Sequence, residues 1–265
     1  MVFLCVAYGF LMSHTGGWLE AWEPEAEDEY DAAQFTPLWD KRGRFQPEGL
    51  IDLPEPAQRY LLHTIAPGTL LASSVDLRMH GEIKFHGWRR FAAQQIIHAN
   101  LDFVSKARID VLGFNVPFTE TVQNGKGARP SRRHSGRRHS ARSTAGRAMA
   151  QSVWMPPSLC NEFVVWTAIS EPRPHVHICA HGEWAELALQ IGADGSLCAL
   201  RLFRWSNAGG GRFRYVPYGG MVEDEDTFGG YTIPTKLRLG YFAGTDRFAI
   251  DGESLRVTVD DATFF

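Results

Sequence analysis

Four side chains at every second position make the first candidate for chemistry. His175, His177, Cys179 and His181 alternate with Val176, Ile178 and Ala180. On a strand, residues at that spacing share one face, about 7 Å apart. Imidazole and thiolate are ligands that zinc and copper accept, and two neighbours on one face could share an ion. The plainer reading is an exposed polar face opposite three apolar residues, and it is preferred here. Glu223, Asp224, Glu225 and Asp226 bring carboxylates together, but without the spaced ligands of a calcium loop, so they read as a solvated turn. Gly209, Gly210 and Gly211 precede Arg212 with no helix to follow, which argues against a phosphate cradle. The sequence contains no G-x-S-x-G, HExxH, P-loop or G-x-G-x-x-G motif. It therefore assigns no catalytic residue, no metal and no cofactor.

Composition narrows the remaining classes. The chain has 265 residues, 44% of them hydrophobic and 22% charged, and a net charge of −3. That describes an ordinary globular protein large enough for a proper core. Bulk charge does not suit a polyanion binder, so nucleic acid is not an expected partner. No apolar run reaches the roughly 18–20 residues of a membrane span. Residues 1–12 are apolar but lack a basic n-region and a small-residue cleavage site, so they make a poor signal peptide. They read as the end of a membrane anchor, or as a buried strand or helix. Membrane association is thus one expectation and a cytoplasmic location the other; the oligomeric state is left open. Cys5, Cys160, Cys179 and Cys198 include no CxxC pair and read as buried or idle thiols, compatible with a reducing compartment.

One segment stands apart. Residues 129–142 contain no aliphatic side chain except Ala141, and residues 129–147 hold seven arginines and no acid. Three readings compete: a short frameshifted or drifted stretch replacing two strands, a plain surface loop, and a basic arm for phosphates. The near-duplicate RRHSGRRHSAR favours the first. No aromatic residue interleaves, so base stacking is not expected. Earlier in the chain, residues 20–31 hold seven acidic residues and read as a solvated linker.

The elements that would position a site are strands. In residues 75–85, Val75, Leu77, Met79, Gly81, Ile83 and Phe85 alternate with polar residues, which means a long strand with one buried face. Gly81 is a candidate bulge or bend. Strands follow at 88–99, 101–111 and 114–122, then at 163–169, 175–180, 184–191, 197–205, 213–222, 231–241 and 247–259. Short polar breaks argue for an antiparallel meander. Pro54 and Pro56 open a helix whose Ala57, Leu61 and Ile65 share a face. Ser143 and Thr144 can cap a second helix through Val153. The predicted fold is mainly β (α+β): a large curved antiparallel sheet or half-open barrel of about ten strands with two or three short helices. Residues 1–49 form an N-terminal extension and 50–265 a single domain, interrupted by the arginine-rich loop at 129–142.

Six stretches, LPEPAQRY from Leu53, RMHGEIK from Arg78, residues 88–95, SVWMP from Ser152, RFRYVPYG from Arg212 and FGGYTIPTKLRLGYFAG from Phe228, resemble an uncharacterised bacterial family of the DUF6544/DUF6920 kind. The resemblance spans about residues 50–260 outside 129–142, where the family pattern is hydrophobic and strand-like. It implies no reaction. The strand pattern is similar to that of LolA/LolB-type lipoprotein carriers, whose half-open barrel holds acyl chains; this is analogy of fold only.

The aromatic residues then suggest a use. A wide curved sheet encloses more volume than side chains easily fill, and small residues such as Gly81, Ala93 and Ala107 would leave room. The expected function is binding or carrying a hydrophobic small molecule or lipid, with Trp88, Phe91, Trp154, Trp166 and Tyr231 as the lining. Two alternatives remain. One is an enzyme with Glu82, Arg204 or Asp246 at the mouth of the same cavity. The other is a structural or interaction protein that pairs through a sheet edge.

Overall fold

Alternation of apolar and polar residues dictates the first strand. β1 (Ser74–Lys84) buries Val75, Leu77 and Met79 on one face and turns Arg78 and His80 to solvent. The computed structural model describes residues 38–123, 126–128, 137–161, 164–170, 173–208, 210 and 212–265. Expectations for residues 1–31 and for 129–136 lie outside them. β2 (Trp88–His98), β3 (Phe103–Val111), β4 (Phe114–Gln123) and the short β5 (Lys126–Ala128) continue as an antiparallel meander. A second meander runs through β6 (Val164–Ser170), β7 (Arg173–Ala180), β8 (Glu183–Ile191), β9 (Leu197–Ser206), β10 (Arg214–Phe228), β11 (Tyr231–Tyr241) and β12 (Glu253–Phe264). β12 returns beside β1, so the described strands form one twelve-stranded sheet in the order 5-4-3-2-1-12-11-10-9-8-7-6. The sheet is open; the edge strands β5 and β6 do not pair with each other.

The expected mainly β class is what the chain adopts. A sheet of this width cannot stay flat and still cover its apolar face. Helix α2 (Arg137–Ala150) touches β5 near one edge and β7, β8 and β9 near the other. His181, in the turn after β7, reaches Leu101 and Asp102, in the turn before β3: its Nδ1 lies 3.7 Å from the Asp102 carboxylate. The two wings therefore face one another across the helical layer. α1 (Glu55–Thr64) completes that layer and packs on β6, β7 and β11 with Ala57, Tyr60 and Leu61 buried. Between the helices, residues 151–160 are buried throughout, including the 3-10 turns Ser152–Trp154 and Pro156–Leu159. Leu38 and Phe45 also enter the core.

Four local expectations are corrected. The second helix starts at Arg137, six residues before Ser143, and both Ser143 and Thr144 are buried within it. Residues 137–142 are thus helix and not loop; arginine and alanine are good helix formers, and the charge density had masked this. Arg142 leans on the Trp205 ring at 5.4 Å and bonds Glu183. The acidic run 223–226 is not a turn but the continuation of β10, paired with β11 through Asp224 and Lys236; the chain reverses at Gly229 and Gly230. The last strand begins at Glu253, because residues 248–252 form a π-helical turn. Finally, the β1–β12 bulge falls at Arg78/Met79 and leaves Gly81 in register opposite Val257 and Phe91.

Candidate functional site

The inner, concave face of β1–β4 changes character along its length. Its residues are set by parity: Val75, Leu77, Met79, Gly81 and Ile83 on β1 stand beside Ile97, Gln95, Ala93, Phe91 and Arg89 on β2. Phe103, Ser105, Ala107 and Ile109 continue the rows on β3, and Val122, Glu120, Phe118 and Val116 on β4. At one end Val75, Leu77, Ile97, Phe103 and Val122 are dry. Toward the other end exposure rises row by row. Ile83, Phe91, Ile109 and Phe118 are half-buried, Val116 is 40% exposed and Phe114, on the same face, 74%. The result is a mainly apolar trough, with Arg89 beside Ile83 in its outermost row, that opens toward the hairpin tips at 84–88 and 111–114.

The helical cover stops where the trough begins. Arg147 of α2 sits with its guanidinium 5.2 Å from the Phe103 ring and pairs with the Glu120 carboxylate. Glu120 is only 1% exposed. Gln95, Ser105 and Glu120 are buried register neighbours, so three polar side chains form a belt across β2, β3 and β4 at the floor of the trough. The Gln95 Nε2 is buried without a hydrogen-bond partner. Neighbouring strands place such side chains about 5 Å apart. One row toward the opening lie the half-buried Ala93 and Ala107.

Near the same hairpin tips, mostly on the opposite, convex face, Glu82, Trp88, Arg89, Arg90, Asp110, Leu112 and Gly113 line a notch of about 350 Å³. Trp88 belongs to the opposite parity from Phe91 and lies on the convex side, under the Arg256 guanidinium at 4.3 Å. Arg256 also bonds Glu82 at 3.2 Å and Glu253 at 2.7 Å. Arg238 completes this convex network with a 2.5 Å bond to Glu253. Hydrogen bonds from Arg238, seconded by Arg256, hold the Glu253 carboxyl down at about 2.

The other expected lining residues occupy the layer between sheet and helices. Trp154 donates its indole N–H to the Pro234 carbonyl at 3.0 Å. Trp166 donates to the Leu159 carbonyl at 3.2 Å and faces Tyr60 with ring centres 6.1 Å apart. The Tyr231 hydroxyl donates to the Leu70 carbonyl and accepts from the Ala72 N–H, while its ring stacks on Phe264 at 4.1 Å. Burial pushes this phenol up to about 12. Of the five, Phe91 stands in the trough, Trp88 on the convex side of the same sheet, and these three beneath the helical layer.

Other candidates for chemistry are dispersed. Glu82 is on the convex side with Arg256, and Asp246 is exposed in the turn after β11. Arg204 is buried on the concave face, 4.4 Å over the Tyr218 ring, against Gly146 of α2; a Cβ there would come within 3.1 Å of the arginine Cγ. These three do not converge. His175 pairs with Glu186, His177 with Thr167, and His181 leaves the strand in a left-handed turn (φ 59°) toward Leu101. No group of three potential metal ligands occurs among the described residues. Burial raises the Cys160 thiol to about 12, far from a thiolate. No described helix is long and apolar enough to cross a membrane. The belt itself escaped sequence reading, although the break in the apolar alternation at Gln95 and Ser105 was its signal.

The profile of DUF6920, a family of unknown function, matches residues 51–264. The chain belongs to this family. The comparison with curated proteins found no match. Two solved structures are similar to this DUF6920 member. One is a domain assigned as an outer membrane lipoprotein-sorting protein from Vibrio parahaemolyticus, 6% identical, covering 72% of this chain and 85% of its own, with a TM-score of 0.36. The other is a LolA superfamily protein from Nitrosomonas europaea, 8% identical, covering 79% and 92%, with a TM-score of 0.38.

Proposed function

We propose that the protein binds an acyl-type hydrophobic molecule in the open trough of the concave face. The observation that carries this reading is the burial gradient. The strands that are dry under the helices expose Phe91, Ile109, Phe118, Val116 and Phe114 beyond them, on one continuous face. Contiguous exposed apolar surface on an otherwise well-covered core marks a binding site. Transfer of an alkyl chain onto it contributes about 0.8 kcal/mol per buried methylene. The rings act as walls, and no bond is made or broken. The face is set on rigid strands, which suits a chain-shaped ligand that lies along them.

The trough is tested with the neutral dye N-phenyl-1-naphthylamine and with native mass spectrometry of gently purified protein. The expected result is saturable dye fluorescence, displaced by dodecanoate esters, and at least about tenfold weaker binding in Phe91→Glu, since a carboxylate on this surface must be desolvated. No dye binding by the wild-type protein, or equal binding in Phe91→Glu and wild type, overturns the proposal.

A further inference from the structure

The trough has a polar floor, and its polarity selects a ligand. Gln95 is 3% exposed, and its Nε2 has no partner. A buried donor left unpaired costs about 1–3 kcal/mol, and replacing it with an apolar side chain of like shape would remove that cost. Its position accounts for its use. It stands on the trough face, one row below Ala93 and Ala107, where an incoming group would meet it.

The floor already carries a buried carboxylate. Glu120 lies two strands away in the same row and is paired with Arg147. A carboxylate or phosphate brought to Gln95 would place a further negative charge in the row of the buried Glu120 carboxylate, and that charge would need an offset. A neutral acceptor needs no such offset. We infer that the Gln95 amide donates a hydrogen bond to the carbonyl oxygen of a neutral acyl ester or amide whose alkyl chain lies on Phe91, Ile109 and Phe118. This inference rests on the proposed apolar trough and adds the linkage chemistry that the trough selects.

The test uses the full chain and three probes: methyl dodecanoate, dodecanoate and 1-dodecene, each displacing N-phenyl-1-naphthylamine at neutral pH. Wild-type protein is expected to prefer the ester to the carboxylate. In Gln95→Met the ratio of ester to alkene affinity is expected to fall about tenfold, the equivalent of one lost hydrogen bond of about 1.4 kcal/mol. The dye affinity is expected to stay within twofold. Gln95→Leu serves as the second variant, and both are expected to unfold at or above the wild-type denaturant midpoint. An unchanged ratio in folded variants that still bind dye overturns the Gln95 assignment alone. A wild-type preference for dodecanoate overturns the selection of a neutral head. Absence of dye binding in wild type overturns the trough and the inference with it.

Discussion

The two ends of the concave face of β1–β4 share strands, alternation and residue types, yet only one end is dry. Phe103 and Phe118 lie on adjacent strands of the same face; the first is fully buried and the second only partly. The difference comes from cover and not from the strands. α2 touches β5 at one edge and β7, β8 and β9 near the other, and its Arg147 lies over Phe103 and Glu120. An apolar face becomes core where something packs on it, and the rows beyond the described cover are the proposed binding surface.

The sharpest way to separate the two ends is to truncate a ring at each. Phe103→Ala is expected to cost about 3–5 kcal/mol in denaturant unfolding, because it leaves a cavity in close-packed surroundings. A loss below about 1 kcal/mol would mean that the dry end is not packed as described. Next comes the boundary. Arg147→Met removes the guanidinium that pairs with the buried Glu120 carboxylate, and a loss of about 2–4 kcal/mol is expected by the same measurement. Glu120→Gln in that background is expected to restore most of the loss; no recovery would show that the pair is not the reason.

A smaller effect probes the convex side, where Glu253 stabilises by charge and not by packing. Its folded-state pKa of about 2 lies below the ordinary 4.5. Its contribution is therefore complete above pH 4.5 and lost as pH falls from there toward 2. Wild-type unfolding free energy is expected to drop across that window by about 1–2 kcal/mol more than that of Glu253→Gln. Parallel profiles would overturn the assignment. The smallest stability effect is expected at the open end. Phe114→Ser should change stability by no more than about 0.5 kcal/mol while weakening dye binding severalfold. A large loss of stability there would mean that the ring is covered.

Much of this was legible in the chain. Period-two alternation from Val75 onward marked β1 within one residue at each end, and the short breaks after it marked a meander. Proline at 54 and 56 placed α1, with Ala57, Leu61 and Ile65 on its buried side. Elements failed where charge misled: Arg137–Arg142 entered a helix and Glu223–Asp226 entered a strand, where Arg142 meets Glu183 and Asp224 pairs with Lys236 across the hairpin. The same limit applied to the site. Aromatic residues are equally suited to packing and to ligand contact, so Phe91 and Trp166 look alike in sequence.

By itself the sequence determined the strands, their inward residues and the class of the fold, because alternation and turn chemistry act over a few residues. It also contained Gln95, Ser105 and Glu120 as polar interruptions on an apolar face. Only the tertiary structure decided that these three stand in one row, that Arg147 of α2 closes over that row, and that the next rows are more exposed. Burial depends on what is brought from far along the chain, and no local pattern specifies where a covering helix ends.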